Sequence, residues 1–515
     1  MKTMEYILTG EEIQSYDKNT IEYFGVPSIV LMEQAALSAL DVIKKNTKLH
    51  YKKVLVLVGN GNNGGDALAL SRLLTEQKAE VTIFFVNNES LNEEKFTKDT
   101  CIQYHIIKKM KLQIVTELPS DSYDMIIDGI FGVGLNRDIT GQLYELINKV
   151  NEYKGIKYAL DIPSGIHSAT GQIQNVAFKA DFTITFAFYK RGHFFYPGRS
   201  YCGEVIKKEI GITEKSFLNR EPEMKAFTGE VSSFLPQRAE DGHKGTFGKV
   251  LIVAGNKEVG GAALLSAKAA LMSGCGMVRI CTHKEQYEAI FFHLPEAIYD
   301  CYTTKDEAVK CVEKGLLWAD VIVMGPGMGT NDISRILWKE VVYGPKKPLI
   351  LDADALNLLS QNEFEDILRV KQNTEEERRP LILTPHPLEF SRLCNKTIID
   401  IKYQWKDILK EYANRMRAIV VKKDAPTVIC DDKGTLILNC SGNNALATAG
   451  SGDVLCGIIA AFISYNCDFF SAVCTAVYCH GKLGEFASFK KGCYSVIAGD
   501  LLESLPDVLR ENKME

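Results

Sequence analysis

One pattern, repeated many times, limits what this chain can fold into. A short run of apolar, largely β-branched residues is followed by a turn of Gly, Asn or Asp, and then by an amphipathic stretch. The runs in the first half are VLVLVG (54–59), VTIFFV (81–86), MIIDGIFG (125–132), YALDIP (158–163) and FTITFAF (182–188). Strands that are apolar on both faces and alternate with helical patterns predict a parallel sheet covered on both sides. The segment TEKSFLNREPEMKAFTGE (213–230) is polar and weakly periodic, as a linker would be. The pattern then restarts with KVLIVAGN (249–256), DVIVMGPG (320–327), PLILDAD (348–354), PLILTPH (380–386) and AIVVKK (418–423). A last helical pattern, VLCGIIAAFIS, follows Gly452 and Asp453.

A chain of 515 residues exceeds one ordinary hydrophobic core. The predicted fold is therefore α/β, with two three-layer α/β/α domains spanning 1–218 and 226–513. Before the first strand, Ile29, Met32, Ala36 and Leu40 recur at helical spacing, so the opening to about residue 50 reads as helical.

A net charge of -5 supplies no basic field, which disfavours a nucleic-acid partner. The opening MKTMEYILTGEEIQ has no apolar stretch of signal-peptide length, and Glu5, Glu11 and Glu12 disfavour a transit peptide. No run of about 18 apolar residues occurs, so no membrane span is expected. The fourteen cysteines form no CxxC pair and most sit in apolar stretches, which points to a reducing, cytoplasmic setting and against zinc.

In VLVLVGNGNNGGDAL (54–68), Gly59, Gly61 and Gly64 have the GxGxxG spacing that brings backbone N–H groups at a helix start close to a pyrophosphate. Alone that could be a tight turn. The second strand also lacks the usual ribose-binding acid, ending instead in Val86, Asn87 and Asn88, so a standard dehydrogenase is disfavoured. Asn62, Asn63 and Asp66 exceed what a turn requires. Asp128 ends one strand before a flexible Gly132–Gly134 loop, and Asp161 and Ser164 bracket a proline after another. Each could cap a helix. Together, at strand ends that meet on one edge, they make a site of hard oxygen ligands suited to a cation.

In the second half, NNALATAGSGDVLCGIIAAF (443–462) places a small-residue loop before a helix that begins near Asp453. Its amides can hold a developing phosphate charge, and an Asp beside them can accept the proton of a hydroxyl as phosphoryl arrives. His386, between two prolines, suits either a ligand contact or a rigid turn. Asp354 reads as a helix cap or a magnesium-phosphate neighbour. Lys244, Lys249 and Lys268 read as solvated or phosphate-facing.

GNGNNGGD, DGIFGVGLNRD and ALDIPSG, in that order, resemble the NAD(P)H-hydrate epimerase domain family over about residues 1–215, a Rossmann-like fold. The resemblance implies that Asn63, Asp128 and Ser164 hold K+. It implies that Asn62, Asn63, Gly64, Gly65 and Asp66, with Gly132, Val133, Gly134, Leu135, Asn136, Arg137 and Asp138, contact the hydrated nucleotide. Asp161 would be the acid/base residue. Ala67 stands where the family usually has glycine.

AGSGD resembles the ribokinase-like superfamily. HKGTFGKVLIVAGN (243–256), GPGMG (325–329), DADALN (352–357), TPHPLEF (384–390) and KKDAPTVI (422–429) resemble its ADP- or ATP-dependent NAD(P)H-hydrate dehydratases, over about residues 226–513. This implies Asp453 as catalytic base, with Gly327 and His386 on the hydrated nucleotide. Lys423, Asp424, Ala425, Pro426, Thr427, Asn443, Asn444, Thr448, Ala449, Gly450, Ser451 and Gly452 would surround the adenine nucleotide. Leu388 and Asp424 replace glycines of the family pattern.

The two resemblances together imply a metabolite-repair enzyme that epimerises hydrated NADH and NADPH and dehydrates the S form. ADP (or ATP) would be the phosphoryl donor, Mg2+ would serve the second domain, and a homo-oligomer is expected. The competing readings are a ribokinase-like vitamin-precursor kinase with a regulatory first domain, and a first domain that only binds a ligand or protein.

Overall fold

The computed structural model describes residues 3–86, 93–120, 123–465 and 468–510. The chain divides into two compact units, Glu5–Lys225 and a second that takes in Ala226–Glu515.

The first unit is built on a seven-stranded parallel sheet. Its spatial order is Gln113–Val115, Glu80–Phe85, Lys53–Val58, Met125–Gly129, Ile156–Leu160, Phe182–Phe186, Glu204–Lys208. Alternation along one strand shows the layering. Val54, Val56 and Val58 enter a core with residues of the helices Ser28–Asn46 and Asn62–Glu76, whereas Leu55 and Leu57 enter a second core with Ile147 and Val150 of Gln142–Asn151. The order reverses between Lys53–Val58 and Met125–Gly129, which opens a crevice at their carboxyl ends.

In the second unit, nine strands follow one another as Ile298–Tyr302, Met277–His283, Lys249–Val253, Val321–Met324, Leu349–Leu351, Leu381–Leu383, Ile419–Lys422, Val428–Cys430 and Leu436–Leu438. They are parallel as far as Ile419–Lys422, and the last two pair antiparallel. The helix Ser451–Ser464 is buried on nearly all sides, as its uniformly apolar sequence requires. It lies against Gly261–Met272 so closely that a Cβ on Gly457 would stand 2.2 Å from the Ser266 carbonyl oxygen.

Three expectations are corrected. The opening is not wholly helical: a strand, Thr3–Leu8, precedes the helices Gly10–Lys18 and Ser28–Asn46, and its buried Ile7 and Leu8 pair with Tyr189 and Lys190. The stretch 213–230 is more than a linker. It holds a 3-10 turn, Glu214–Phe217, and a strand, Met224–Thr228, because its few large apolar side chains find partners: Phe217 packs on Tyr6 and Tyr16, and Phe227 on Phe234. Ser451–Ser464 is not the last helix, since Phe469–Lys491 and Ala498–Leu509 follow. The former buries small residues on several faces and so shows little periodicity in sequence. Among the described residues, no helix is long and apolar enough to cross a membrane.

Candidate active sites

In the first unit the crevice is a cleft of about 750 Å³, within the range of small-molecule sites. Its floor depends on close backbone approach. A Cβ on Gly59 would stand 2.0 Å from the Ile130 carbonyl oxygen, and one on Gly64 2.0 Å from that of Gly59, so both positions require glycine. The helix Asn62–Glu76 starts there, with its first amides lacking partners inside the helix. Asn62, Asn63, Asp66, Gly132, Val133, Gly134, Leu135, Asn136, Arg137 and Asp161 all line the cleft. Gly64 and Gly65 do not; both are buried, packing under the loop where side chains would clash. Asp138 is exposed and is not among the lining residues.

Beneath the cleft, Asn63, Asp128 and Ser164 meet around the Phe131 peptide. Asn63 Nδ2 donates to the Phe131 carbonyl at 2.9 Å, and the Phe131 N–H donates to Ser164 Oγ at 2.9 Å. Ser164 Oγ donates to Asp128 Oδ1 at 2.6 Å, and its backbone N–H to Oδ2 at 2.7 Å. Burial raises the Asp128 carboxyl to about 6 despite these donors. Asn63 Oδ1 is buried without a hydrogen-bond partner.

Asp161 holds a left-handed φ of 64° directly after the strand Ile156–Leu160. Two residues that motif reading did not single out fix it there. Lys190, whose side chain is only 1% exposed, donates from Nζ to Asp161 Oδ1, to Thr185 Oγ1 at 2.8 Å and to the Phe186 carbonyl at 3.1 Å. His193 Nδ1 accepts from the Lys190 N–H at 3.1 Å, so its Nε2 carries the proton donated to the Asp161 carbonyl at 2.9 Å. Burial lowers His193 to about 3, so the ring is neutral. Asp17, on the helix Gly10–Lys18, also lines the cleft. Burial and then the Asp161 charge raise Asp17 to about 6, and burial raises Asp66 well above the usual carboxylate range.

In the second unit, Gly450 adopts φ 85° and releases the chain into the helix Ser451–Ser464, with Asp453 in its first turn. Burial, then the neighbouring Asp352, raise Asp453 to about 6, and Lys423 opposes them. Lys423 Nζ lies 2.7 Å from Asp352 Oδ1, which also accepts from Thr384 Oγ1 at 2.7 Å. A Cβ on Gly452 would stand 3.4 Å from Lys423 Nζ and 3.7 Å from Asp352 Oδ2, so the strand-end lysine and the glycine loop are brought together. His480 Nε2 lies 2.9 Å from the Ser451 carbonyl and 3.2 Å from its Oγ, anchoring the start of the helix.

Asp352, Glu389 and His480 are additions to the sequence reading. Ala353, at φ 48°, separates Asp352 from Asp354, and Asp354 Oδ2 instead accepts from the Gly329 N–H at 2.8 Å. Asp354 thus anchors the GPGMG loop that contains Gly327. His386 caps the helix Pro387–Cys394: Nδ1 accepts from the Leu388 and Glu389 amides, and its side chain stays 47% exposed. The buried Glu389 beneath it is raised to about 7 by burial. Leu388 is exposed beside His386. Asp424 pairs with Lys422 at 2.8 Å, and the Thr427 hydroxyl donates to the Asp424 carbonyl at 3.2 Å, which shapes the turn after Ile419–Lys422. Asn443 Oδ1 accepts from the Ala445 N–H at 3.1 Å and its Nδ2 donates to Ser488 Oγ at 2.8 Å, so that side chain orders its own loop.

Fold and sites together define a two-unit α/β enzyme, with a carboxylate-lined cleft in a Rossmann-like unit and a carboxylate at a glycine loop in a ribokinase-like one. The NAD(P)H-hydrate dehydratase family matches residues 250–507, and the YjeF-related protein N-terminus matches residues 28–192. The chain is 33% identical to the bifunctional NAD(P)H-hydrate repair enzyme of Thermofilum pendens, over 97% of this chain and 95% of that one. It is 28% identical to the enzyme of the same name from Escherichia coli, over 98% and 95%. A solved ADP/ATP-dependent NAD(P)H-hydrate dehydratase from Bacillus subtilis, co-crystallised with ATP/Mg2+, is 32% identical, with a TM-score of 0.47 over 54% of this chain and 94% of that one. The chain belongs to the family of bifunctional NAD(P)H-hydrate repair enzymes.

Proposed function

We propose that this chain returns hydrated NADH and NADPH to the usable cofactor in two steps, one in each unit. The damaged cofactor carries a hydroxyl on C6 of the nicotinamide ring in either the R or the S configuration. In the first unit, loops 62–66 and 132–138 hold the nucleotide with C6 beside Asp161. Epimerisation needs acid/base help and no redox partner. Asp161 takes the proton of the C6 hydroxyl while the C6–N1 bond opens, its electron pair passing to nitrogen, which acquires a proton. Closure on the other face reverses these transfers.

In the second unit Asp453 accepts the C6 hydroxyl proton as the oxygen attacks the β-phosphorus of ADP, forming a phosphate ester and AMP. The amides at the start of Ser451–Ser464 hold the developing charge. The N1 lone pair then expels phosphate, and loss of the C5 proton restores the C5–C6 double bond. Residues 423–427 and 443–452 would surround the adenine nucleotide, and Gly327 and His386 the hydrated nicotinamide nucleotide. The observation that carries this step is the Asp453 carboxylate at the start of a glycine-loop helix, raised to a value suited to a base near neutrality.

Two cations fit the residues present. Asn63, Asp128 and Ser164 would hold K+: Asn63 Oδ1 is buried and unpartnered, and no ion pair among the described residues reaches Asp128. Such a cation supplies positive charge under the phosphate-facing loop. Mg2+ would enter the second unit with the diphosphate, facing Asp352 and Asp453, and neutralise phosphate charge. On its cysteines, which form no CxxC pair, and its net charge of -5 we place the enzyme in the cytoplasm, acting on small substrates as a homo-oligomer without nucleic acid or membrane.

The vitamin-precursor kinase is set aside, because relatives matched along nearly the whole chain are named as repair enzymes. The test offers mixed R and S hydrates with ADP and Mg2+ and follows absorbance at 340 nm. Repair predicts full recovery of both epimers with release of AMP and phosphate. A stable phosphate ester without the chromophore contradicts it.

A further inference from the structure

Asp161 is held asymmetrically. Its Oδ1 receives Lys190 Nζ, the Phe186 N–H at 3.3 Å and Thr185 Oγ1 at 3.4 Å. Among the described residues, every hydrogen bond to this carboxylate ends on Oδ1, although the side chain is 15% exposed and lines the cleft. Oδ2 is thus left without a hydrogen bond among the described residues and is available to a ligand in the cleft. Lys190 is spent in the opposite sense: its three N–H groups meet three acceptors, Asp161 Oδ1, Thr185 Oγ1 and the Phe186 carbonyl, in a site with almost no exposure. An ammonium saturated in this way has no proton or free direction left for the substrate.

We propose that Lys190 is the positioning residue of the epimerase site, a fixed charge that holds Asp161 through Oδ1 and aims its Oδ2 at the C6 hydroxyl. This deepens the reading of the first unit and rests on it. A structural lysine buried at a strand end would need only a counter-ion. This one also meets a residue whose backbone is forced into the left-handed region and clamped by His193 from the other side. The surroundings explain why a cation is needed. Asp17, from Gly10–Lys18, and Asp66, from Asn62–Glu76, face Asp161 across the cleft, and Asp99 adds to the charge at Asp66. His193 is neutral, so Lys190 is the cation that offsets these acids. The outcome is a division of labour. Burial, with the neighbouring carboxylates adding to it, keeps Asp17 and Asp66 inclined to hold protons, so that either can supply the one that nitrogen needs when C6–N1 opens, while Asp161 Oδ2 faces the hydroxyl.

The experiment follows equilibration of purified R-hydrate by chromatography of the two epimers, on the full chain, without ADP, across pH 5 to 9. Lys190→Met should slow epimerisation by about 10²-fold or more with little change in KM. The acid limb of its kcat/KM profile should move about one to three units up in pH, because loss of a neighbouring opposite charge disfavours the carboxylate. Lys190→Arg should keep the limb near its wild-type place while losing rate, since a planar fork cannot meet the same three acceptors. Should Lys190→Met lose its cooperative thermal transition, the arginine variant decides alone: undiminished rate, or a limb moved like that of a neutral variant, overturns the assignment. A Lys190→Met enzyme that folds and keeps the wild-type limb overturns it too. Failure of the wild type itself to equilibrate R and S would sink the epimerase reading, a result separable from these.

Discussion

Lys423 Nζ stands 2.7 Å from Asp352 Oδ1, under the glycine loop that presents Asp453. Asp352 and Asp453 repel each other, and Lys423 is the charge that keeps their coexistence tolerable. Asp453 must be ionised to act as a base, so the ADP-dependent rate should fall as pH drops through about 6. Removing Lys423 deletes a lowering influence. Lys423→Met should therefore move the acid limb of kcat/KM for S-hydrate upward and cut activity at pH 7 at least about tenfold. A pH-rate series on purified S-hydrate with ADP and Mg2+ reads both effects.

Potassium should act on the first unit alone. Exchanging K+ for Li+ should depress equilibration of R and S hydrates and leave dehydration of S-hydrate intact. Stability gives a readout free of turnover. The folded carboxyl of Asp128 is raised from 3.8 to about 6, so the folded state retains a proton that the unfolded state has lost between those values. Ionising Asp128 thus opposes folding, a penalty that is complete above about pH 6 and is lost gradually as pH falls from 6 towards 3.8. A cation bound there relieves it, so K+ should raise Tm by about 2–4 °C at pH 7.5. The rise should shrink at pH 5 and vanish in Asn63→Ala. Equal stabilisation at both pH values contradicts the site.

The start of the Asp453 helix depends on tight packing and on a neutral histidine. Gly457→Ala, 2.2 Å from the Ser266 carbonyl, should cost about 1–3 kcal/mol by overpacking and be visible in thermal unfolding. Burial lowers His480 to about 4, so its hold on Ser451 should not vary between pH 5 and 9. His480→Phe should raise KM for ADP while leaving the acid limb set by Asp453 in place. A limb that moves would show that His480 titrates with the reaction.

What the sequence makes legible is local. GNGNNGG and AGSGD announce helix starts because backbone approach and positive φ need glycine at fixed offsets, and Gly59, Gly64 and Gly450 meet those needs. Asn63, Asp128 and Ser164 are legible because they fall at a helix start, a strand end and a loop on the carboxyl edge of the sheet, and their side chains meet there. Lys190 is not, since it lies 29 residues beyond Asp161 and its reach depends on the left-handed turn at Asp161. Asp352 and Glu389 are hidden for a similar reason. Their neighbours Asp354 and His386 carry the more conspicuous motif positions, and only the φ of 48° at Ala353 decides which aspartate meets Lys423. Residues 224–228 read as linker because their three buried side chains, Met224, Ala226 and Phe227, fall among polar ones over too short a span to show a period.

The central claim is that the Asp453 carboxylate drives ADP-dependent dehydration. Its most direct test is Asp453→Ala, given mixed hydrates, ADP and Mg2+, with the 340 nm signal and the R/S ratio followed together. The account predicts no recovery of the chromophore, no AMP, and unimpaired equilibration of the epimers by the first unit. Recovery at the wild-type rate would contradict it.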